Sequence, residues 1–245
     1  MKLSWSITLS VSALIFLVTP SRAAQIVLNQ NAIVNPGAEL GSGSATGNDI
    51  LSVPGWNTTG NFTAAQYGAS AAPVISPGPA FGANFFSGGP NTPTDMATQI
   101  IDVSNLASSI DAGQIAYVLS GYFGGYSFQN DNATLFATFF SLANTTLGTS
   151  TVIGGFNSTS RSNISQLLSD TGAGFIPAGT RSVQITLQMT RVEGIYNDGY
   201  ADNLSFVVRG VGNAPTSANP EPASWMLAGL GVCALAALGR KSIRV

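Results

Sequence analysis

The chain has 245 residues, of which 44% are hydrophobic and only 8% charged, and it contains no histidine. That removes His-based catalytic triads, His-ligated zinc and the usual neutral-pH general base. Four basic residues (Arg161, Arg181, Arg191, Arg209) stand against ten acidic ones between residues 24 and 219, and no lysine occurs between Lys2 and Lys241. Nucleic-acid binding requires clustered cations, so that class is excluded.

Residues 1–23 combine Lys2, an apolar stretch over residues 7–18, a break at Pro20 and the small residues Ser21 and Ala23. This order predicts a cleavable signal peptide, cut after Ala23 by signal peptidase, and hence export. Residues 24–209 have the length of one domain, which can bury enough surface to fold without staples. The single cysteine is Cys233, so this domain has no disulfide.

Residues 25–34 and 99–103 are short strand candidates. Residues 41–95 contain Pro54, Pro73, Pro77, Pro79, Pro90 and Pro93. They read as long loops crossing one end of the fold, with strands near residues 62–67 and 80–86. Residues 114–123 and 134–140 are apolar on both faces, as expected of strands in the middle of a sandwich. Residues 181–191 alternate: Val183, Ile185, Leu187 and Met189 face one way, and Ser182, Gln184, Thr186, Gln188 and Thr190 the other. Residues 203–209 alternate again through Leu204, Phe206 and Val208. Only residues 104–112 and 162–168 suit a helical turn or two. Many strands between Gly, Pro and Asn clusters predict an all-β sandwich. Residues 210–219 lack an apolar pattern and read as a flexible linker.

Residues 220–245 have three parts. Pro220, Glu221 and Pro222 make a stiff extended spacer. Residues 223–239 would span roughly 26 Å as a helix, close to the thickness of a bilayer core. Arg240, Lys241 and Arg244 then hold the end in the cytoplasm. This arrangement resembles the PEP-CTERM sorting signal of exosortase substrates in Gram-negative bacteria. The resemblance implies a transient inner-membrane intermediate held by the C-terminal transmembrane helix. Exosortase would then cut near the PEP motif and release the protein to the cell surface or extracellular matrix. A short tail anchor is the alternative.

Two further segments resemble the galactose-binding-like jelly-roll sandwich. One is Asn35-Pro36-Gly37-Ala38-Glu39 followed by Val53-Pro54-Gly55-Trp56; the other runs from Asn197 through Asp202-Asn203-Leu204 to Phe206. Ala38 departs from the phenylalanine frequent at that position. The family pattern implies a structural Ca²⁺ shared by Glu39 and Asp202, with backbone carbonyls completing an oxygen shell. A plain surface or turn role for these residues is the alternative, and the Asn-Asp-Gly at 197–199 is itself a turn signal.

Sugar binding usually uses an aromatic face flanked by hydrogen-bonding groups. Trp56 and Tyr126 are the candidates: Trp56 competes with a core-packing role, and Tyr126 sits in an aromatic cluster where a strand runs into a loop. Asp49, Asp95, Asp102, Asp111, Asp131 and Asp170 lie in turn-like contexts, none in an apolar pocket that would raise its pKa. The expected protein is an exported, non-catalytic β-sandwich associated with exopolysaccharide or biofilm matrix. A purely structural matrix protein and a glycan hydrolase are the alternatives.

Overall fold

The computed structural model describes residues 25–74 and 77–211. The signal peptide expected at residues 1–23, nearly all of the expected linker and the sorting signal lie outside the described residues. Among the described residues no helix is long and apolar enough to cross a membrane.

Period-two alternation dominates the domain, and it yields strands. The first six are β1 (Asn57–Thr59), β2 (Thr63–Gln66), β3 (Asn84–Pro90), β4 (Thr94–Asp102), β5 (Ile115–Gly125) and β6 (Asn132–Phe140). The remaining five are β7 (Thr146–Thr149), β8 (Ile153–Gly154), β9 (Gln166–Phe175), β10 (Ser182–Thr190) and β11 (Tyr196–Gly210). They form two antiparallel sheets. The first has the order β1-β4-β10-β6-β7, with β8 also paired to β6; the second has the order β2-β3-β11-β5-β9. A short helix, α1 (Ala107–Asp111), and the 3₁₀ turn before it fill the connection from β4 to β5, as the 104–112 pattern predicts.

The core lies between the sheets. Val183, Ile185, Leu187 and Met189 of β10 and Leu135, Ala137 and Phe139 of β6 face Leu119, Phe123, Leu204, Phe206 and Val208 of the second sheet. Tyr117 joins the layers, stacked on Phe206 and tilted against Phe139 with ring centroids 5.7 and 5.4 Å away. Each such ring removed from water contributes on the order of 2 kcal/mol.

Several expectations are revised. β5 and β6 do lie inside their sheets, but their residues alternate between buried and half-buried. Residues 25–34 form no strand; Asn29 has φ 63°, and only an isolated bridge at Asn31 joins Val207 of β11. Residues 162–168 make no helix, because Ser162 and Asn163 both have φ 56° and β9 begins at Gln166. The segment over residues 67–74 does not cross one end. It covers the outer face of the second sheet, where Ala69, Ala72 and Val74 pack on Phe85, Leu167 and Tyr200 in a second apolar cluster. Residues 197–199 are not a turn but the irregular start of β11, with a register shift between Asn197 and Tyr200.

Chain direction defines two ends of the sandwich. At the loop end, β5 finishes at Gly125 and β11 begins at Tyr196; at the terminal end, Gly210 pairs with Ile115. The N-terminal segment reaches the same strand, since Asn29 N–H donates to Val208 O at 2.8 Å.

Arg161 ties the loop end together. It is fully buried. Its Nη1 donates to the carbonyls of Gly125 (2.6 Å), Ile164 (2.9 Å) and Ser127 (3.2 Å), and its Nη2 to Gln129 O (2.6 Å). Arg161→Met keeps most of the volume but strands these buried carbonyls. It should lower stability by about 3 kcal/mol or more, measured by urea unfolding. A change within ~0.5 kcal/mol would show that water replaces the guanidinium.

Candidate functional site

Three places carry the chemistry. The first is the outer face of the β4-β10-β6 sheet. Register aligns the side chains in rungs: Asn57–Thr98–Thr186–Phe136, Thr59–Met96–Gln188–Thr134, Ile100–Gln184–Thr138, Asp102–Ser182–Phe140 and Thr94–Thr190–Asn132. Of these side chains only Asp102 is ionisable, and it sits at the terminal end accepting a hydrogen bond from Ser104 N at 2.8 Å. Along β10, Gln184 Nε2 donates to Thr186 Oγ1 and Gln188 Nε2 to Thr190 Oγ1. Ile100 is 65% exposed. It borders a groove of about 270 Å³ lined also by Phe140, Asn144, Ser182 and Gln184. Hydroxyls, amides and apolar surface alternate here with no charge but that of Asp102, a combination suited to the hydroxyls and C–H faces of an uncharged sugar. Sequence alternation marked the outward side of β10, but the groove was not legible, because it needs the register of three strands.

The second place is a cleft of about 120 Å³ at the loop end, lined by Ser70, Ala71, Pro73, Tyr126, Gln129 and Asp198. Tyr126 is half-buried at its wall, packed against the second apolar cluster. Asp198 is 5% exposed, and its Oδ1 accepts from Tyr200 Oη. Burial pushes its carboxyl up to about 7, reinforced by the nearby Asp131, while the Tyr200 hydrogen bond and Arg161 act in the opposite direction. Gln129 Oε1 is buried with no hydrogen-bond partner among the described residues. Gln129 was not singled out from sequence, and Asp198 read as a turn aspartate; the chain folds back across 69 residues to bring them together.

Trp56 is elsewhere. It is 8% exposed, meets Phe86 edge-on with centroids 5.6 Å apart, and its Nε1 donates to Asn35 O at 3.1 Å. It packs the core and ties the 53–56 turn to the 35–39 turn, so it offers no platform for a sugar. The aspartates expected in turns also differ. Asp95 and Asp131 are fully buried. Asp131 accepts from the backbone N–H of Val192, Glu193 and Asp198, and Asp95 from Asn61 N and Asn197 Nδ2.

The third place is the Glu39–Asp202 pair. The 35–39 turn runs beside the bulge of β11, and Gly37 stands between the acids. A methyl group built there would lie 3.1 Å from Asp202 Oδ1 and 3.8 Å from Glu39 Cγ. Asp202 is fully buried; its Oδ2 accepts from Tyr67 Oη at 2.5 Å and its Oδ1 from Asn203 N at 2.6 Å. Burial pushes its carboxyl up to about 7, and the charge of Glu39 adds to the shift against the hydrogen bonds from Tyr67 and Asn203. Glu39 Oε1 accepts from the backbone N–H of Ala83 and Asn84. The donors are all oxygen, and no basic side chain pairs with either acid among the described residues. This is the donor chemistry of a hard cation, although no cluster of three or more His, Cys, Asp or Glu is present among the described residues.

No family model and no curated protein matches the chain. It is similar to several solved structures at low identity. A cyclase from Fischerella sp. TAU is 16% identical, with a TM-score of 0.51 over 74% of this chain and 97% of that one. The family 16 carbohydrate-binding module-2 is 16% identical, with a TM-score of 0.45 over 72% and 99%. The enzymatically active domain of tailspike protein 4 of bacteriophage CBA120 is 15% identical, with a TM-score of 0.42 over 73% of this chain. The chain covers 21% of that tailspike domain. The likeness to the cyclase is one of fold, a two-sheet antiparallel sandwich.

Asp198 and Asp202 give stability a definite pH dependence. Both fold with carboxyls near 7, against about 3.9 in an unfolded chain. The folded state therefore holds more protons between about pH 4 and 7, and stability falls as pH rises through that window. Asp49, Asp102 and Asp111 are lowered by hydrogen bonds from Ser44, Ser104 and Arg181 respectively, so they titrate below it. In EDTA the urea midpoint should be higher at pH 5 than at pH 8, and Asp202→Asn should shrink the difference. Equal midpoints would refute the burial argument.

Proposed function

We propose that the protein is an exported, non-catalytic jelly-roll domain of the galactose-binding-like type that associates with neutral polysaccharide of the cell surface or extracellular matrix. The observation that carries this reading is the outer face of the first sheet, uncharged but for Asp102 at its terminal end, with its groove between Ile100, Phe140 and Gln184. A solvated sheet face ordinarily carries lysine and glutamate; this one offers hydroxyls and amides to hydroxyls, and Phe136, Phe140 and Ile100 to sugar C–H faces. The lack of histidine, and the engagement of the buried Asp95 and Asp131 by backbone N–H groups and the Asn197 side-chain amide, favour binding over turnover.

The signal peptide and the PEP-CTERM-like tail supply the route. Signal peptidase removes residues 1–23, the C-terminal helix holds an inner-membrane intermediate through Arg240, Lys241 and Arg244, and exosortase cuts near Pro220, Glu221 and Pro222. Removing residues 220–245 should send the protein straight to the medium, without a membrane-bound intermediate in pulse-chase fractionation.

Glu39 and Asp202 hold a structural Ca²⁺ in this reading. The cation supplies the positive charge that two adjacent carboxylates lack, and the buried Asp202 then stays ionised. Calcium should raise the melting temperature of the wild type at pH 8, and Asp202→Ala should lose that response. An unchanged melt in excess EDTA would remove calcium from the account.

The deciding experiment is retention of the full-length protein by the producing organism's exopolysaccharide, with and without calcium. Saturable, competable binding is expected. Gln184→Glu, which places a charge in the groove, should weaken it about tenfold or more with the melting temperature unchanged, since an unpaired desolvated charge costs well over 1.4 kcal/mol. No binding by the wild type would leave a purely structural matrix protein. Turnover of the polysaccharide, lost with a single carboxylate, would make it a hydrolase.

A further inference from the structure

We infer that the loop-end cleft lined by Tyr126, Gln129 and Asp198 is a second, separate site that takes a protonated amine on a sugar, as in a hexosamine without its acetyl group. The inference rests on the polysaccharide reading for its sugar and on the cleft's own chemistry for the amine.

The cleft is built from segments that the fold fixes: 70–73 from the cover of the second sheet, Tyr126 and Gln129 from the β5–β6 loop, and Asp198 from the start of β11. Its polar groups lack partners in a one-sided way. Asp198 Oδ1 takes the Tyr200 hydroxyl, and no hydrogen bond reaches Oδ2 among the described residues. The Gln129 side-chain amide makes none either, and its Oε1 is buried. A buried acceptor without a donor costs about 1–3 kcal/mol, so a ligand that supplies donors is favoured there.

Charge decides which donor. Arg161 is the nearest cation and its charge partly offsets that of Asp198, but its hydrogen bonds go to the carbonyls of Gly125, Ser127, Gln129 and Ile164, and none reaches the Asp198 carboxylate. The remaining titratable groups around Asp198 are Asp131, Tyr196 and Tyr200, with Asp95 beyond Tyr196, and none of them adds a positive charge. An anionic sugar would be repelled. A neutral hydroxyl would leave the carboxylate with only the partial compensation that Arg161 gives through space. An ammonium supplies three donors and one positive charge, and the half-buried Tyr126 ring adds an apolar wall for the sugar. The volume of about 120 Å³ suits one amine-bearing edge of a ring rather than a run of residues. This is a different geometry from the open face of the first sheet.

The same burial that raises the Asp198 carboxyl makes the site pH-sensitive. Affinity for the amine should fall below about pH 7, where the carboxyl takes up a proton.

The test uses full-length protein titrated with glucosamine and with N-acetylglucosamine, followed by ligand-observed NMR at pH 7 and pH 5. Glucosamine should bind at least tenfold tighter at pH 7, and the preference should fade at pH 5. Asp198→Asn keeps an acceptor for Tyr200 and should abolish the preference. Gln129→Leu should weaken glucosamine several-fold. Asp111→Asn removes the same charge at the opposite end, outside both sites, and should leave the glucosamine preference unchanged, which controls for the overall acidity of the protein. Equal affinity for the two sugars, binding of neither, or a preference that survives Asp198→Asn would overturn the amine site. Each of these leaves the sheet-face reading intact if exopolysaccharide retention persists and remains sensitive to Gln184→Glu. Loss of that retention in the wild type strikes the polysaccharide reading instead.

Discussion

The loop end of the sandwich depends on one buried cation. Arg161 sits where a fold of this kind would otherwise hold apolar atoms, and bringing a guanidinium out of water costs several kcal/mol. Hydrogen bonds offset that cost, because the fork of donors meets carbonyls from the end of β5, from the loop after it and from the turn that carries Arg161 itself. Asp131 does the complementary task one layer away, gathering the backbone N–H groups of Val192, Glu193 and Asp198. Between them these two side chains fix the backbones of the β5–β6 and β10–β11 loops, and so they fix the positions of Tyr126, Gln129 and Asp198.

This use of charge runs through the domain. Among the described residues one ion pair forms, Arg181 with Asp111 at 2.7 Å. Most other charges bind backbone. Glu39 holds Ala83 and Asn84, Asp170 holds Gly154, Asp95 holds Asn61, and Arg191 holds Ile195 O. With so few charges, spending them on loops leaves the sheet faces neutral. The neutral face and the well-tied loops are therefore two aspects of one composition.

How much of this was legible in the sequence varied with the length scale of the cause. β10 and the second half of β11 were readable because their alternation is local: each inward residue is apolar and each outward one polar, Val207 excepted. α1 was readable for the same reason. β9 was not, because Asp170-Thr171-Gly172-Ala173-Gly174 carries no alternation and becomes a strand only through pairing with β5. The Glu39–Asp202 encounter came from a resemblance between short motifs, and the geometry does bring the two turns together. Trp56 followed ordinary burial physics, as a lone tryptophan behind Pro-Gly usually does. The cleft escaped notice because its parts are a glutamine in a loop and an aspartate in what reads as an Asn-Asp-Gly turn. Asn197 Oδ1 accepts locally from Gly199 N, but its Nδ2 donates to Asp95 and Met189 O, contacts that exist only once β4 and β10 are in place.

β11 gives the domain a mechanical axis. The strand starts at the cleft and ends at Gly210 beside Ile115, and along most of its length it is laddered to β5. The N-terminal segment bonds to it near its end as well. A ligand pulled at Asp198 against a chain held beyond Gly210 would load β11 along its own direction. The ladder would then be strained in shear, with its hydrogen bonds bearing tension together rather than parting one at a time. A domain drawn between a matrix and an anchor would in this way resist force with its longest strand.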